Sequence, residues 1–437
     1  MRDIMREQEL IVYRDFENGE ILNNMVYLME NYKNSLLSTA KLQTLFYDCF
    51  HELLELAGHY GFYGNLWHCY LSNLLVNNEN SYSMACEIVG EVEGTINDAV
   101  LHDIVILKEL YDYDFTDIVQ TLEIRDFDLA LNYKSSSRES KVYNTRICSR
   151  IVELARKFNE NDTPEEMKAT LTAFYKDYGV GRFGLHKAFR VEHTDEGAKI
   201  VPITNITHVN LDDLIGYEDA KKKLTDNTEA FVRGRVANNC LLFGDAGTGK
   251  SSSIKAIANK YYEDGLRIIE IYKHQFKDLN DVITQIKNRN YKFILYMDDL
   301  SFEDFEIEYK YLKAVIEGGL EKKPKNVLIY ATSNRRHLIN EKFSERGSNL
   351  REDEVHFGDT MQEKMSLYDR FGVTIYFGSP DKKEFNNIVL KLAERAGLTM
   401  DRDRLLLLAN QWELSHGGLS GRTAQQFIHY LVGTGVR

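Results

Sequence analysis

Proline is scarce in this chain of 437 residues, which holds only four, and none precedes Pro164. So long a stretch without proline fits long helices better than short strands and turns. Cysteine is equally sparse. Cys49, Cys69, Cys86, Cys148 and Cys240 make an odd count with no CxxC pair, which excludes a disulfide framework or a zinc ribbon. No run approaches the ~18 apolar residues that a spanning helix needs. Behind Met1 stand Arg2, Asp3, Arg6 and Glu7 rather than an apolar signal core. The chain is therefore expected to be soluble and cytoplasmic, with no membrane partner. An excess of positive charge is also missing: 54 Lys and Arg face 67 Asp and Glu, a formal charge of -13. That argues against a generally basic nucleic-acid binder, although a local basic groove is compatible with an acidic total. What the chain does have is 28% charged and 11% aromatic residues, a globular composition, and length for two or three domains at roughly 150 residues each.

Apolar positions recur at three and four over the first 180 or so residues, as in Met25, Leu28, Met29 and Tyr32, then Leu42, Leu45, Phe46 and Cys49, predicting a mainly helical domain over 1–184. Turn signals fall at Gly61 to Asn65, Asn77 to Ser81 and Lys134 to Ser140. Thr163 is a predicted helix start, with Pro164 in the first turn and Glu165 and Glu166 at the positive end. The aromatic-rich segment around Trp67 reads as core, and His68 beside Cys69 lacks further ligands at metal spacing. KAFRVEH and GAKIVPI read as short extended pieces of a linker over 185–210. Then apolar strands alternate with amphipathic helices: NCLLFG (239–244), RIIEIY (267–272), KFILYMDDL (292–300), NVLIYATSN (326–334) and VTIYF (373–377). This predicts a parallel five-stranded sheet covered on both faces over 211–380. A small helical subdomain follows over 381–437.

The segment Gly244-Asp245-Ala246-Gly247-Thr248-Gly249-Lys250-Ser251 follows a predicted strand and opens a predicted helix, the context that G-x-x-x-x-G-K-[ST] requires. Its glycines let backbone N–H groups curl round phosphates at a helix N-terminus, Lys250 reaches the β and γ oxygens, and Ser251 offers a hydroxyl to Mg²⁺. Asp298 and Asp299 end an apolar strand, where ligands gather in parallel sheets. Asp298 is the candidate magnesium carboxylate, acting through water, and Asp299 the group that polarises an attacking water.

These residues, with their spacing, resemble the AAA+ ATPases from about Leu214 to Arg437. The resemblance implies a three-layer αβα P-loop fold with a C-terminal helical lid, behind the helical N-terminal domain. It implies roles for Asn334 at the sensor 1 position, Arg370 in SLYDRFG as an arginine finger toward a neighbouring subunit, and Arg422 in LSGRTAQQF as sensor 2. Ile215 and Gly216 would lie near the adenine, and Ser252 completes the nucleotide-binding set with the loop residues. Each assignment has a plainer alternative: Arg370 as a surface arginine, Asn334 as a turn former, Arg422 as an ion-pair partner. More narrowly, LLFGDAGTGKSS, DDLSFE, ATSNRRHL and EKMSLYDRFG are similar to the bacterial group catalogued as domain of unknown function 815.

One departure matters. The family usually places Glu where this chain has Asp299, whose carboxylate falls about 1.5 Å short, and a misplacement of about 1 Å can cost ~10²-fold. Glu303 is a substitute carboxylate or a solvated one. The leading expectation is an ATPase, taking ATP and Mg²⁺ in a homo-oligomer and acting on an unidentified protein client. The alternative is a slow ATP-gated switch or scaffold. YKHQFKDLND, with Tyr272 and Phe276, has no aromatic-Val-Gly unit, against a threading unfoldase. A nucleic-acid partner is not favoured; its candidate surfaces are Lys221 to Lys223, Lys322 to Lys325, Arg335 and Arg336. The acidic stretch His337 to Lys364 reads as a partner-specific insertion or a loop without a role.

Overall fold

The computed structural model describes residues 7–134, 143, 145–194, 197–204, 206, 209–302, 308–317, 324–334 and 370–435. Expectations for Ser135 to Ser140, Glu303, Lys322, Lys323, Arg335, Arg336 and the acidic stretch from His337 to Lys364 lie outside the described residues. Two compact units divide the chain, Met1–His186 and Lys187–Arg437.

The first unit is helical, as the apolar periodicity predicts. Its longest helix, Thr39–Tyr60, buries Leu42, Phe46, Cys49, Phe50, Leu53 and Ala57 on one stripe and ends at Gly61 in the left-handed conformation (φ 80°), a helix stop that glycine makes without strain. The predicted turn at Asn77 to Ser81 is a reciprocal cap, in which the Asn80 side chain accepts from Ser83 N while Ser83 Oγ accepts from Asn80 N. Thr163 and Glu166 form the same box at the start of Pro164–Tyr178. Trp67 is 1% exposed and its indole N–H donates to Leu110 O at 2.9 Å, so the aromatic-rich segment is core. His68 stacks on Tyr111 with ring centroids 4.0 Å apart. All five cysteines are unpaired and buried.

The second unit holds one sheet in the order β2-β1-β4-β5-β6-β3-β7, where β1 is Ala188–Thr194, β2 Gly197–Pro202, β3 Cys240–Gly244, β4 Leu266–Glu270, β5 Lys292–Met297, β6 Val327–Ser333 and β7 Val373–Phe377. The five predicted strands all pair in parallel, with Leu241 opposite Ala331 and Thr374, and Met297 opposite Ala331. Every residue of β3 and β6 is buried, which accounts for their unbroken apolar runs. The two segments read as linker pieces do more than bridge: β1 and β2 pair antiparallel, and β1 pairs parallel with β4, adding two strands to the sheet. Three helices close the chain, Lys382–Arg395, Arg402–Ser415 and Gly421–Gly433. They pack around Phe385, Val389, Ala409, Ala424 and Phe427, and Ile215 joins that cluster from the segment between β2 and β3. Among the described residues no helix is long and apolar enough to cross a membrane.

Candidate nucleotide site

The parallel strands end together at one edge of the sheet, and a cavity of about 460 Å³ opens there. Between β3 and the helix Lys250–Tyr261, the chain turns through Gly244 (φ 134°), Gly247 (φ 74°) and Gly249 (φ 95°). Gly244 is demanded twice over, because a Cβ there would lie 2.1 Å from the Phe377 carbonyl oxygen in a backbone region that side chains avoid. The loop closes on itself: Lys250 Nζ donates to Gly244 O at 2.9 Å and Asp245 O at 2.6 Å. Burial holds the Lys250 ammonium below its ordinary range, against the opposing pull of Asp245, Asp299 and Asp298.

Across the cavity, Ser251 Oγ donates to Asp298 Oδ1 at 2.7 Å. Burial pushes the Asp298 carboxyl up, but hydrogen bonds from Thr332 and Ser251, the Tyr296 hydroxyl and the Lys255 charge outweigh it, so the group lies below its usual value and is ionised at neutral pH. Burial and Asp298 itself push the Tyr296 phenol well up. Asp299 has φ 50°, a left-handed conformation that Asp tolerates better than most residues. Asn334 Nδ2 donates to Asp299 Oδ1 at 2.8 Å.

The helical subdomain covers the loop. Arg422 N donates to Gly247 O at 3.1 Å, and Arg395 donates to Asp212 O at 2.6 Å and Asp213 O at 3.0 Å. The cavity thus gathers Ile215, Ala246, Gly247, Thr248, Gly249, Lys250, Ser251, Ser252, Asp298, Asp299, Asn334 and Arg422 of the residues singled out from sequence. Four others are not in its lining. Gly244 lies beneath the loop. Gly216 (φ 87°) supplies the bend beside Ile215. Asp245 turns away, its carboxylate accepting from Ser379 N at 2.7 Å. Arg370 precedes β7, whose first residue pairs with Cys240 at the far end of β3 from the loop.

Sequence reasoning missed Thr332, Tyr217 and the subdomain residues Ile388, Leu392 and Gln425, all of which line the cavity. Of the other candidates, Phe276 is buried, Tyr272 is exposed, and Lys221 bonds Leu214 O and Glu218.

The donor set suits a magnesium ion carried on a nucleotide. Ser251 and Asp298 are hard oxygen ligands, and Mg²⁺ ordinarily takes one or two carboxylates with phosphate and water making up the rest. Among the described residues no group of three or more His, Cys, Asp or Glu could form a self-sufficient metal cage. Ile215, Ile388 and Leu392 give the cavity lining an apolar part, which suits a flat base.

A parallel sheet with a glycine-rich loop at the mouth of β3, acidic residues ending β5 and a helical subdomain over the loop together define a nucleotide-binding protein of the AAA+ class. A family model described as "Protein of unknown function (DUF815)" matches residues 184–435, more than half of the chain, and the chain belongs to that family. It is also similar to the AAA-ATPase At1g43910 of Arabidopsis thaliana, 34% identical over 104 residues that cover 21% of each chain. The replication factor C large subunit of Staphylothermus marinus is 34% identical over 71 residues, 16% of each chain. The chain thus spans about a fifth or less of the length of these two relatives. Among solved structures, the RuvB Holliday junction branch migration motor of Thermotoga maritima is similar over 52% of this chain and 65% of that one, at 18% identity and a TM-score of 0.37.

Proposed function

We propose that the Lys187–Arg437 unit binds ATP with Mg²⁺ and hydrolyses it. The observation that carries this reading is the convergence on one cavity of a phosphate-type loop, the Ser251–Asp298 pair at 2.7 Å, and Arg422 from the helical subdomain. Bound Mg²⁺ would neutralise phosphate charge as it develops. Backbone N–H groups of Gly247 to Ser251 would hold the phosphates, with Lys250 exchanging its two carbonyl partners for phosphate oxygens. Ser251 and Asp298 would hold the ion. Asp299, oriented by Asn334, would accept the proton of an attacking water, and Arg422 would couple the subdomain to the phosphates.

Arg370 has no place in the lining of its own cavity. In the proposed function it serves a neighbouring copy, which makes the active form a homo-oligomer. Nucleotide-driven movement of the helical subdomain would then act on a protein client.

A second reading is a slow switch, and one observation favours it: Asp299, already shorter than Glu, has its carboxylate engaged by Asn334. ATP turnover by the full chain decides, measured beside Lys250→Ala and Arg370→Ala, with light scattering to report mass. Turnover lost in both variants, with an ATP-dependent rise in mass, supports the oligomeric ATPase. Tight ATP binding without turnover, or turnover indifferent to Arg370→Ala in a monomer, supports the switch.

A further inference from the structure

Neighbouring residues on a strand point to opposite faces, yet Asp298 and Asp299 both line the same cavity. Both lie just past Met297, where β5 ends, and Asp299 takes a left-handed backbone there (φ 50°). Such a conformation costs a non-glycine residue energy and persists only where surrounding contacts fix it.

Ser251 and Asn334 each bond one of the two carboxylates, and three further bonds come from one residue of the adjacent strand. Thr332, 2% exposed near the end of β6, donates from Oγ1 to Asp298 Oδ1 at 2.5 Å. The same Oγ1 accepts from Asp299 N at 3.0 Å. The Thr332 carbonyl accepts from Leu300 N at 2.7 Å. One residue therefore engages three consecutive positions of the acidic turn, and two of the three bonds run through its hydroxyl. A valine would fill the same volume and keep the carbonyl bond, so the hydroxyl separates a positioning role from mere strand packing.

We propose that Thr332 is a positioning residue: its hydroxyl locks the turn that presents Asp298 and Asp299 side by side, setting both the metal-side and the water-side carboxylate. This rests on the ATP-with-Mg²⁺ reading above. Through Asp298 it governs how much Mg²⁺ strengthens nucleotide binding, and through Asp299 it governs turnover. Contact with the nucleotide itself is no part of the role.

The test uses the full chain and its variants Thr332→Val and Thr332→Ser, with a fluorescent ATP analogue titrated in the presence and absence of Mg²⁺, and ATP turnover measured alongside. Expected for Thr332→Val is metal-free nucleotide affinity like the parent, with the gain in affinity from Mg²⁺ reduced about tenfold or more. With Mg²⁺ present its kcat should fall about tenfold or more, and its KM should rise by about the factor lost from the Mg²⁺ gain. Thr332→Ser, which keeps the hydroxyl, should return these quantities to within a few-fold of the parent. Should the valine variant fail to fold, Thr332→Ala removes the hydroxyl without added bulk and reads out the same split. A Val or Ala variant with the parent's Mg²⁺ gain and kcat overturns the proposal, as does a Ser variant as impaired as Val. A parent protein that gains no affinity from Mg²⁺ and turns over no ATP defeats the underlying ATP reading instead, a result distinguishable because it appears before any substitution.

Discussion

Asn334 and Asp299 meet across the mouth of the sheet, amide to carboxylate at 2.8 Å, and Asp299 does so from a left-handed backbone. The conformation gives a physical reason for the shorter acid. Asp and Asn enter this region more readily than Glu, so lengthening the side chain sets reach against strain. Asp299→Glu is expected to lower the melting temperature by about 2–4 °C, from a cost of ~1 kcal/mol, without raising turnover. Asp299→Asn keeps the backbone preference and should melt like the parent while losing about 10²-fold or more of its ATP turnover. Thermal unfolding and a steady-state hydrolysis assay read both. A faster Asp299→Glu would mean that reach, not backbone, sets the rate.

Gly244 has no room for a side chain, with the Phe377 carbonyl 2.1 Å from where a Cβ would sit and φ at 134°. Gly244→Ala must displace either the loop or the end of β7. The expected loss is at least about 3 kcal/mol, from strain and overpacking together. It would appear as a lower urea midpoint for the Lys187–Arg437 unit, together with loss of nucleotide binding. An alanine variant of parental stability would contradict the close approach.

The helical unit carries its own pH dependence. Burial lowers the His68 imidazole from 6.5 to about 4, and its Nε2 lies 2.9 Å from Tyr111 O. The folded state therefore prefers neutral His68. Between pH 6.5 and about 4 the unfolded chain binds a proton that the folded chain does not, so this contribution is complete above pH 6.5 and is lost as pH falls toward 4. A loss on the order of 3 kcal/mol follows from the shift. Urea unfolding of the full chain, followed by circular dichroism across that range, should show the slope, and His68→Gln should flatten it.

How much of this was visible in the sequence varies with the residue. The parallel strands were, because β3 and β6 are buried along their whole length and read as unbroken apolar runs. So were Lys250 and Ser251, since a phosphate loop must be contiguous in sequence, and Asp298, which directly follows an apolar run read as a strand. The hairpin of β1 and β2 was hidden. Arg190, Glu192 and Lys199 interrupt strands whose burial is patchy, so the two segments read as extended linker pieces, and only the pairing of β1 with β4 marks them as part of the sheet. Thr332 was hidden differently: in NVLIYATSN it is an ordinary strand threonine, and only the lateral pairing of β6 with β5 brings it to Asp298 and Asp299. Ile388, Leu392 and Gln425 reach the cavity from helices distant in sequence, a product of tertiary packing that no local spacing records.

Asp245 separates a residue of the motif from a residue of the site. It lies inside the glycine-rich segment, yet its carboxylate accepts from Ser379 N at 2.7 Å and its own N–H donates to Phe377 O at 3.0 Å. Both bonds fasten the loop to the chain leaving β7. In that role the acceptor oxygen matters and the charge matters less. Asp245→Asn keeps an acceptor and should change stability by under about 1 kcal/mol, whereas Asp245→Ala leaves the Ser379 N–H without that partner and should cost about 1–3 kcal/mol. Nucleotide affinity should fall far less in either variant than in Lys250→Ala, since Lys250 is among the residues lining the cavity. Chemical denaturation alongside nucleotide titration separates the two effects. An Asp245→Ala variant of parental stability that binds nucleotide as poorly as Lys250→Ala would instead make Asp245 a direct contact.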